Sequence, residues 1–363
     1  MDTLSQITLG AAVSVAVMGR RTAVWKAALW GGMAGTLPDT DVFYDYGDPI
    51  INMVRHRAES HALLYLTLLA PILAWVVAKL NGEPKLWRRW ALAIWLALFT
   101  HPLLDVMTVY GTRLLMPFTD QPFGVGSIFI IDPLYTLPLL VGVIAALILK
   151  STRGLRWNIA GLAFSSAYLA WGVVVQNHML DIAEKSLHTN NIQAERILVT
   201  PTAFNTILWR FVAMTPDYYY EGFSSLLDDE KKINWLVYPR CNALIQANLS
   251  NPNIKAIADF SSGFYTLNQK NGQLIVSDLR MGQQPFYFFS FDVGPVNQSA
   301  ESPQRVVNVG QRPNLDTALP WLWARIGGEN IPLANAVKSL PMNEQRVAAC
   351  GEAQGQMNEP SRY

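Results

Sequence analysis

The sequence predicts a membrane α-helical bundle of about four to six spans, followed by a small soluble α+β domain with an antiparallel sheet. Three observations lead there. Hydrophobic residues make up 51% of the 363, and in the first half they form long apolar runs separated by short polar loops. The second half has mixed charge, scattered aromatics and turns rich in Asn, Gln and Ser. Lys and Arg of the first half collect in loops that share one side if the helices alternate. The division is placed at 1–178 for the membrane region and 179–363 for the soluble domain. A net charge of +1 offers no basic face for a polyanion, so no nucleic-acid partner is expected.

A bilayer core takes about 20 apolar residues per helix, with a lower limit near 17. Segments 62–78 and 133–149 meet that limit without a charge, and 90–109 and 157–176 are long enough as well. Segment 24–37 is weaker. It carries Gly31, Gly32, Ala34 and Gly35, small residues that let helices approach closely, so it is expected inside the bundle. Segment 7–18 is short. The N-terminus lacks the basic start of a signal peptide and has Asp2 there instead, so this segment is read as a retained first helix.

Basic loops set the direction. Arg20, Arg21 and Lys26 form one cluster, Lys79, Lys85, Arg88 and Arg89 a second, and Lys150, Arg153 and Arg156 a third. With six alternating helices all three face the cytoplasm. Residues 38–61, 110–132 and everything after 177 then lie outside.

That topology, drawn from Lys and Arg alone, brings other ionisable residues to one membrane level. Asp39 and Asp41 stand in the turn Pro38-Asp39-Thr40-Asp41, and His56, Arg57, Glu59 and His61 precede the third span. His101 and Asp105 sit four apart near the outer end of the fourth, on one helix face, and Asp132 opens the fifth. Ionisable groups inside a span are costly unless paired, hydrated or metal-bound. A mixed His and Asp set suits Zn²⁺, Mn²⁺ or Fe²⁺, and an all-oxygen set Mg²⁺ or Ca²⁺. Asp39, Asp41, His61, His101 and Asp105 are therefore the expected ligands of a divalent ion, zinc before manganese or magnesium. His56 and Arg57 are the expected catalytic residues, Arg57 to neutralise an anionic group. Simpler roles stay open: Asp39 and Asp41 as helix caps, His61 pairing with Glu59, His101-Pro102 as a kink, Asp105 pairing with Arg113.

At these residues the chain resembles the membrane-bound metal-dependent hydrolases, an inner-membrane family also described as LexA-binding hydrolases. Met1-Asp2-Thr3-Leu4-Ser5-Gln6, Gly10-Ala11-Ala12 and Gly35-Thr36-Leu37-Pro38-Asp39-Thr40-Asp41 carry the likeness. His56-Arg57, Ser60-His61, His101-Pro102-Leu103-Leu104-Asp105 and Asp132-Pro133-Leu134-Tyr135 continue it. Pro201-Thr202-Ala203-Phe204-Asn205-Thr206 and Leu208-Trp209-Arg210 resemble long members with an appended domain. The resemblance, with its distant relation to zinc-dependent phospholipases, implies phosphoester hydrolysis by metal-activated water. Many short members have a His where this chain reads Ser5-Gln6.

In the soluble domain, 218–223, 254–257, 263–267, 273–279 and 284–293 read as strands, with Asn271-Gly272 as a hairpin turn. Segments 181–194, 319–326 and 332–340 read as helical or irregular. Cys241 and Cys350 both lie here, and an extracytoplasmic location permits a disulfide between them. The expected function is a membrane-bound metal-dependent hydrolase acting on a phosphoester or lipid-linked substrate at the bilayer surface. The alternative is a non-catalytic scaffold or envelope-stress protein whose soluble domain binds a partner. A transporter is less attractive, because the charges gather at one surface and no inverted repeat is evident.

Overall fold

A computed structural model describes residues 1–229, 232–296, 305–331 and 350. The chain divides into two compact units. The first comprises Met1–Asp45, Arg55–His178 and Thr200–Thr206, and the second Tyr46–Val54, Met179–Val199 and Ile207–Tyr363.

Helices α1 (Thr3–Met18), α2 (Val24–Thr36), α4 (Leu63–Leu80), α5 (Trp87–Val106) and α6 (Pro133–Leu149) build the first unit; the short α3 (Pro49–Arg55), which follows α2 in sequence, falls almost wholly in the second. Helix α7 (Thr152–Thr189) runs on past His178, so the unit boundary falls inside a continuous helix. Small residues draw α1 and α2 together as expected. A Cβ on Gly10 would stand 2.3 Å from the Gly31 carbonyl, and one on Gly35 2.7 Å from the Gln6 carbonyl. Val15, Met18, Ala27 and Ala34 of this pair pack with Ala70, Ala74, Trp90, Ile94 and Leu98 of α4 and α5.

The outward faces of these helices are as apolar as their buried ones. On α4, Leu68, Ile72 and Trp75 are all more than half exposed, at the spacing of one helical stripe. Ile148 on α6 and Ile159, Phe164 and Val174 on α7 continue that surface. A helix apolar all round belongs in a core or in lipid, and these side chains have no core over them. Among the described residues two helices are long and apolar enough to cross a membrane, Leu63–Leu80 and Thr152–Thr189; Thr3–Met18 and Pro133–Leu149 are shorter apolar helices. The expected 90–109 segment is helical as α5 but does not join these two, since Arg88 and Arg89 in its first turn lower its hydropathy; two candidate spans thus stand where four to six were expected.

In the second unit β1 (Arg196–Pro201), β2 (Leu208–Met214), β3 (Tyr218–Ser225) and β4 (Leu236–Pro239) form a sheet in that order. Helices α8 (Asn242–Ala247) and α9 (Pro252–Phe260) lead to β5 (Tyr265–Lys270) and β6 (Gln273–Asp278). After them come β7 (Gly282–Gln283), β8 (Phe286–Tyr287), β9 (Ser290–Pro295), β10 (Val307–Asn308) and α10 (Leu315–Ile326). The second sheet runs β10-β9-β6-β5, β7 pairs with β8, and every pairing recorded among these strands from β2 onward is antiparallel. Asn271 and Gly272, both at positive φ, make the expected hairpin turn between Lys270 and Gln273.

Three readings of this region change. Segment 254–257 is helical, because Asn251 caps the amides of Asn253 and Ile254, Pro252 sits at the first helical position, and Ile254, Ile257 and Phe260 bury one face. Segment 284–293 is broken into β8 and β9, not one strand. Segments β1 and β2, read only through the family likeness, are strands; all seven residues of β2 are buried, so it shows no alternating pattern. Segment 332–340 lies outside the described residues. Cys241 is disulfide-bonded to Cys350.

Candidate metal centre

Three local structures supply the donors. Helix α2 stops before Pro38, and a 3-10 turn over Pro38–Phe43 carries Asp39 and Asp41. A second 3-10 turn, Glu59–His61, places His61 directly before α4. On α5 the i, i+4 pair His101 and Asp105 shares one inward face, and both residues are fully buried, as is His61.

The four groups Asp39, His61, His101 and Asp105 converge. His61 Nε2 and His101 Nε2 are 3.1 Å apart. Asp105 Oδ2 lies 3.2 Å from the first and 3.3 Å from the second. Asp39 Oδ1 lies 3.5 and 3.4 Å from the same two nitrogens. Burial opposes ionisation of Asp39, but hydrogen bonding from His101 and His61 outweighs it and holds the carboxyl below the usual carboxylate range.

Outer partners fix the imidazoles. His101 Nδ1 is 2.6 Å from the Gly35 carbonyl, which only accepts, so Nδ1 carries the proton. Ser60 Oγ donates to Asp41 Oδ2 at 2.8 Å, leaving its lone pair for His61 Nδ1–H at 2.8 Å. With Nδ1–H turned outward on both rings, the two Nε2 atoms face each other as an electron-rich pair that a proton shared with Asp39 and Asp105 occupies when no ion is bound. Between them stands Asp105 Oδ2, buried and without a hydrogen-bond partner. Facing electron pairs of this kind require a cation among them, a proton or a metal ion. The residues fit a metal ion.

Asp105 Oδ1 is held from the other side by the Met1 amino group, by Gln6 Nε2 at 3.1 Å and by Arg57 Nη2 at 3.2 Å. Arg57 is buried, with Nη1 on Thr108 Oγ1 and its guanidinium 5.0 Å from the Tyr110 ring centre. Its backbone adopts φ 63, and its N–H donates to Asp41 Oδ2 at 2.9 Å. Asp41 also bonds His56 Nδ1 at 3.0 Å, and Asp39, Asp41 and His56 form a second group able to hold an ion. Burial of Asp41 raises its pKa, but the bond from His56 and the Arg57 amide bring it below the ordinary value.

All seven expected site residues therefore lie in one neighbourhood. Asp39, His61, His101 and Asp105 surround one centre, Asp41 and His56 stand beside it, and Arg57 pairs with Asp105. The simpler pairings do not form: Glu59 bonds Arg55, and the arginine on Asp105 is Arg57, not Arg113. Asp132 instead caps α6 through the Leu134 amide and accepts from Tyr168. Ser60, Gln6, Gly35 and Met1 were not anticipated as partners of the site. Only Gln6 had a signal, through the Ser5-Gln6 pair where many short members of the resembled family have a histidine.

An uncharacterized Bacillus subtilis protein, YfhP, is 25% identical over 236 residues, covering 62% of this chain and 68% of the relative. No solved structure matches. Residues 1–179 match the family described as YdjM inner membrane protein, which spans every residue of the centre. That match covers 179 of the 363 residues, just under half of the chain.

Proposed function

We propose that this protein is a multi-pass, zinc-dependent membrane hydrolase acting on phosphoester or lipid-linked substrates at the extracytoplasmic bilayer surface. The observation that carries the reading is the buried convergence of two lone-pair nitrogens and an unpartnered carboxylate oxygen, with the partly exposed Asp39 completing it. Two carboxylates balance a divalent charge. Zinc bonds to nitrogen and oxygen are about 2.0–2.1 Å, so a tetrahedron of donors has edges near 3.3–3.4 Å. The five separations measured run from 3.1 to 3.5 Å. Manganese or magnesium would prefer more oxygen donors.

A bound ion would lower the pKa of a water and polarise a phosphoryl or carbonyl oxygen. The chain's own groups would do the rest. With Nδ1–H on Asp41, His56 keeps its Nε2 lone pair, and its side chain is 26% exposed, so it can take and return a proton. Arg57 holds Asp105 in place and sets a positive charge beside the centre, where negative charge would develop. Four to six spans with the basic loops in the cytoplasm would put the centre and the second unit outside. The Cys241–Cys350 disulfide supports that side, since such bonds persist in oxidising compartments.

One observation favours a second reading. Four protein donors fill a tetrahedral shell, as in structural zinc sites, whereas catalytic sites keep a position open. In that reading the ion holds α2, α4 and α5 together in a scaffold. Metal content by mass spectrometry, together with turnover of chromogenic phosphoesters and phospholipids, separates the two. Hydrolysis that is lost in His56→Ala while the metal is retained supports the enzyme. Bound metal without turnover on any of these esters would sink it and leave the scaffold. Two ions per chain would move Asp41 and His56 into the ligand set.

A further inference from the structure

We propose that a cavity at the basic end of the bundle binds the phosphate group of an anionic phospholipid. The cavity, of about 360 Å³, is lined by Arg20, Thr22, Ala23, Val24, Trp25, Leu147 and Lys150. That volume is at the lower end of small-molecule sites, about 300–1,000 Å³. It lies where α2 begins, while the metal centre lies where α2 ends, so about 20 Å of helix separates the two. The inference does not depend on the hydrolase reading.

Charge is the first argument. Arg20 and Lys150 come from segments far apart in sequence, and among the described residues neither forms an ion pair. The three basic loops contain one acid, Glu83. It is already engaged by Thr22 Oγ1 at 2.7 Å, Lys26 Nζ at 3.5 Å and Trp90 Nε1 at 3.0 Å. Two cations thus frame a cavity with no protein carboxylate to neutralise them, an arrangement that an anion relieves.

The second argument is the chemistry of the remaining wall. Helix α2 opens at this point with Ala23 as its N-cap; the Ala23 carbonyl accepts from the Lys26 amide at 2.9 Å, but Ala23 offers no side-chain acceptor to the Val24 and Trp25 amides. Val24, Leu147 and the 58%-exposed Trp25 supply an apolar flank beside the charges. Cations on one side and an indole and aliphatic groups on the other match a headgroup phosphate joined to acyl chains. Free phosphate would use only the first half. The family's inner-membrane character supplies the bilayer.

The test uses the intact protein in detergent and native mass spectrometry with phosphatidylglycerol, phosphatidylcholine or inorganic phosphate. Phosphatidylglycerol is expected to be retained and the other two not. Each cation near an anionic lipid is worth close to a factor of five, so Arg20→Gln with Lys150→Gln weakens retention roughly thirtyfold. Arg88→Gln with Arg89→Gln, outside the cavity, leaves it within about threefold, as does the charge-conserving exchange Arg20→Lys with Lys150→Arg. Equal retention of both lipids by the wild type would overturn the proposal, with no variant needed. So would equal weakening by the two Gln pairs. Inorganic phosphate held as tightly as the lipid would overturn the lipid as the source.

Discussion

Replacing Ser60 by Ala tests the centre at a residue that touches no ion. Its hydroxyl links two groups, donating to Asp41 Oδ2 and accepting from His61 Nδ1, each at 2.8 Å. Without it, His61 loses the acceptor that keeps its proton on Nδ1, and the tautomer that blocks Nε2 becomes available. Loss of a hydrogen bond to a charged group is worth about 1.5–3 kcal/mol. Outer-sphere changes at metal-ligating histidines cost about 10–100-fold in affinity, or ~1.4–2.7 kcal/mol, so the two figures agree. Zinc affinity, read by competition with a chromophoric chelator, should fall by that factor. Ser60→Thr, which keeps a hydroxyl, should stay near wild type. Ser60 is half-buried in the middle of a three-residue turn, so the thermal midpoint of the metal-free protein should barely move. An affinity within threefold of wild type would refute the tautomer argument, and an equal loss of metal-free stability would show that Ser60 serves the fold instead.

Two further outcomes follow from the packing. In Gly31→Ala the new Cβ would meet Ser14 Cβ at 2.3 Å and the Gly10 carbonyl at 2.4 Å, neither able to yield, so α1 and α2 must separate. The expected loss is about 1–3 kcal/mol, read as a lower unfolding midpoint in detergent; an unchanged midpoint would contradict the close approach. Cys241→Ser removes a link between residues 109 apart, which chain entropy values at about 4–5 kcal/mol. Unfolding of the second unit should become insensitive to reductant in that variant, while the wild type loses stability when reduced.

Much of the centre could be read from sequence because its donors follow local rules. His101 and Asp105 share a helix face by their spacing alone, and the price of ionisable groups in an apolar helix marks them. Asp39 and His61 became legible through topology, since basic loops fixed which helix ends are neighbours. The second unit was harder. Fully buried β2 has no alternation to betray it, and the Ile254 to Ile257 spacing suits a strand until Asn251-Pro252 is read as a helix start.

What stayed hidden is the support of the ligands. Gly35 was expected to serve helix packing, and it does, but its carbonyl also fixes the His101 ring. Close approach of α1 to α2 and orientation of a ligand on α5 thus meet at one residue, and no sequence pattern announces a backbone acceptor. Gln6 presents the same problem from the side-chain end. It donates to Asp105 Oδ1 and to the His101 carbonyl, at 3.1 and 3.2 Å. Gln6 thus positions a ligand without being one. An ion held by Asp39, His61, His101 and Asp105 would be tuned from that position instead of being bound by it.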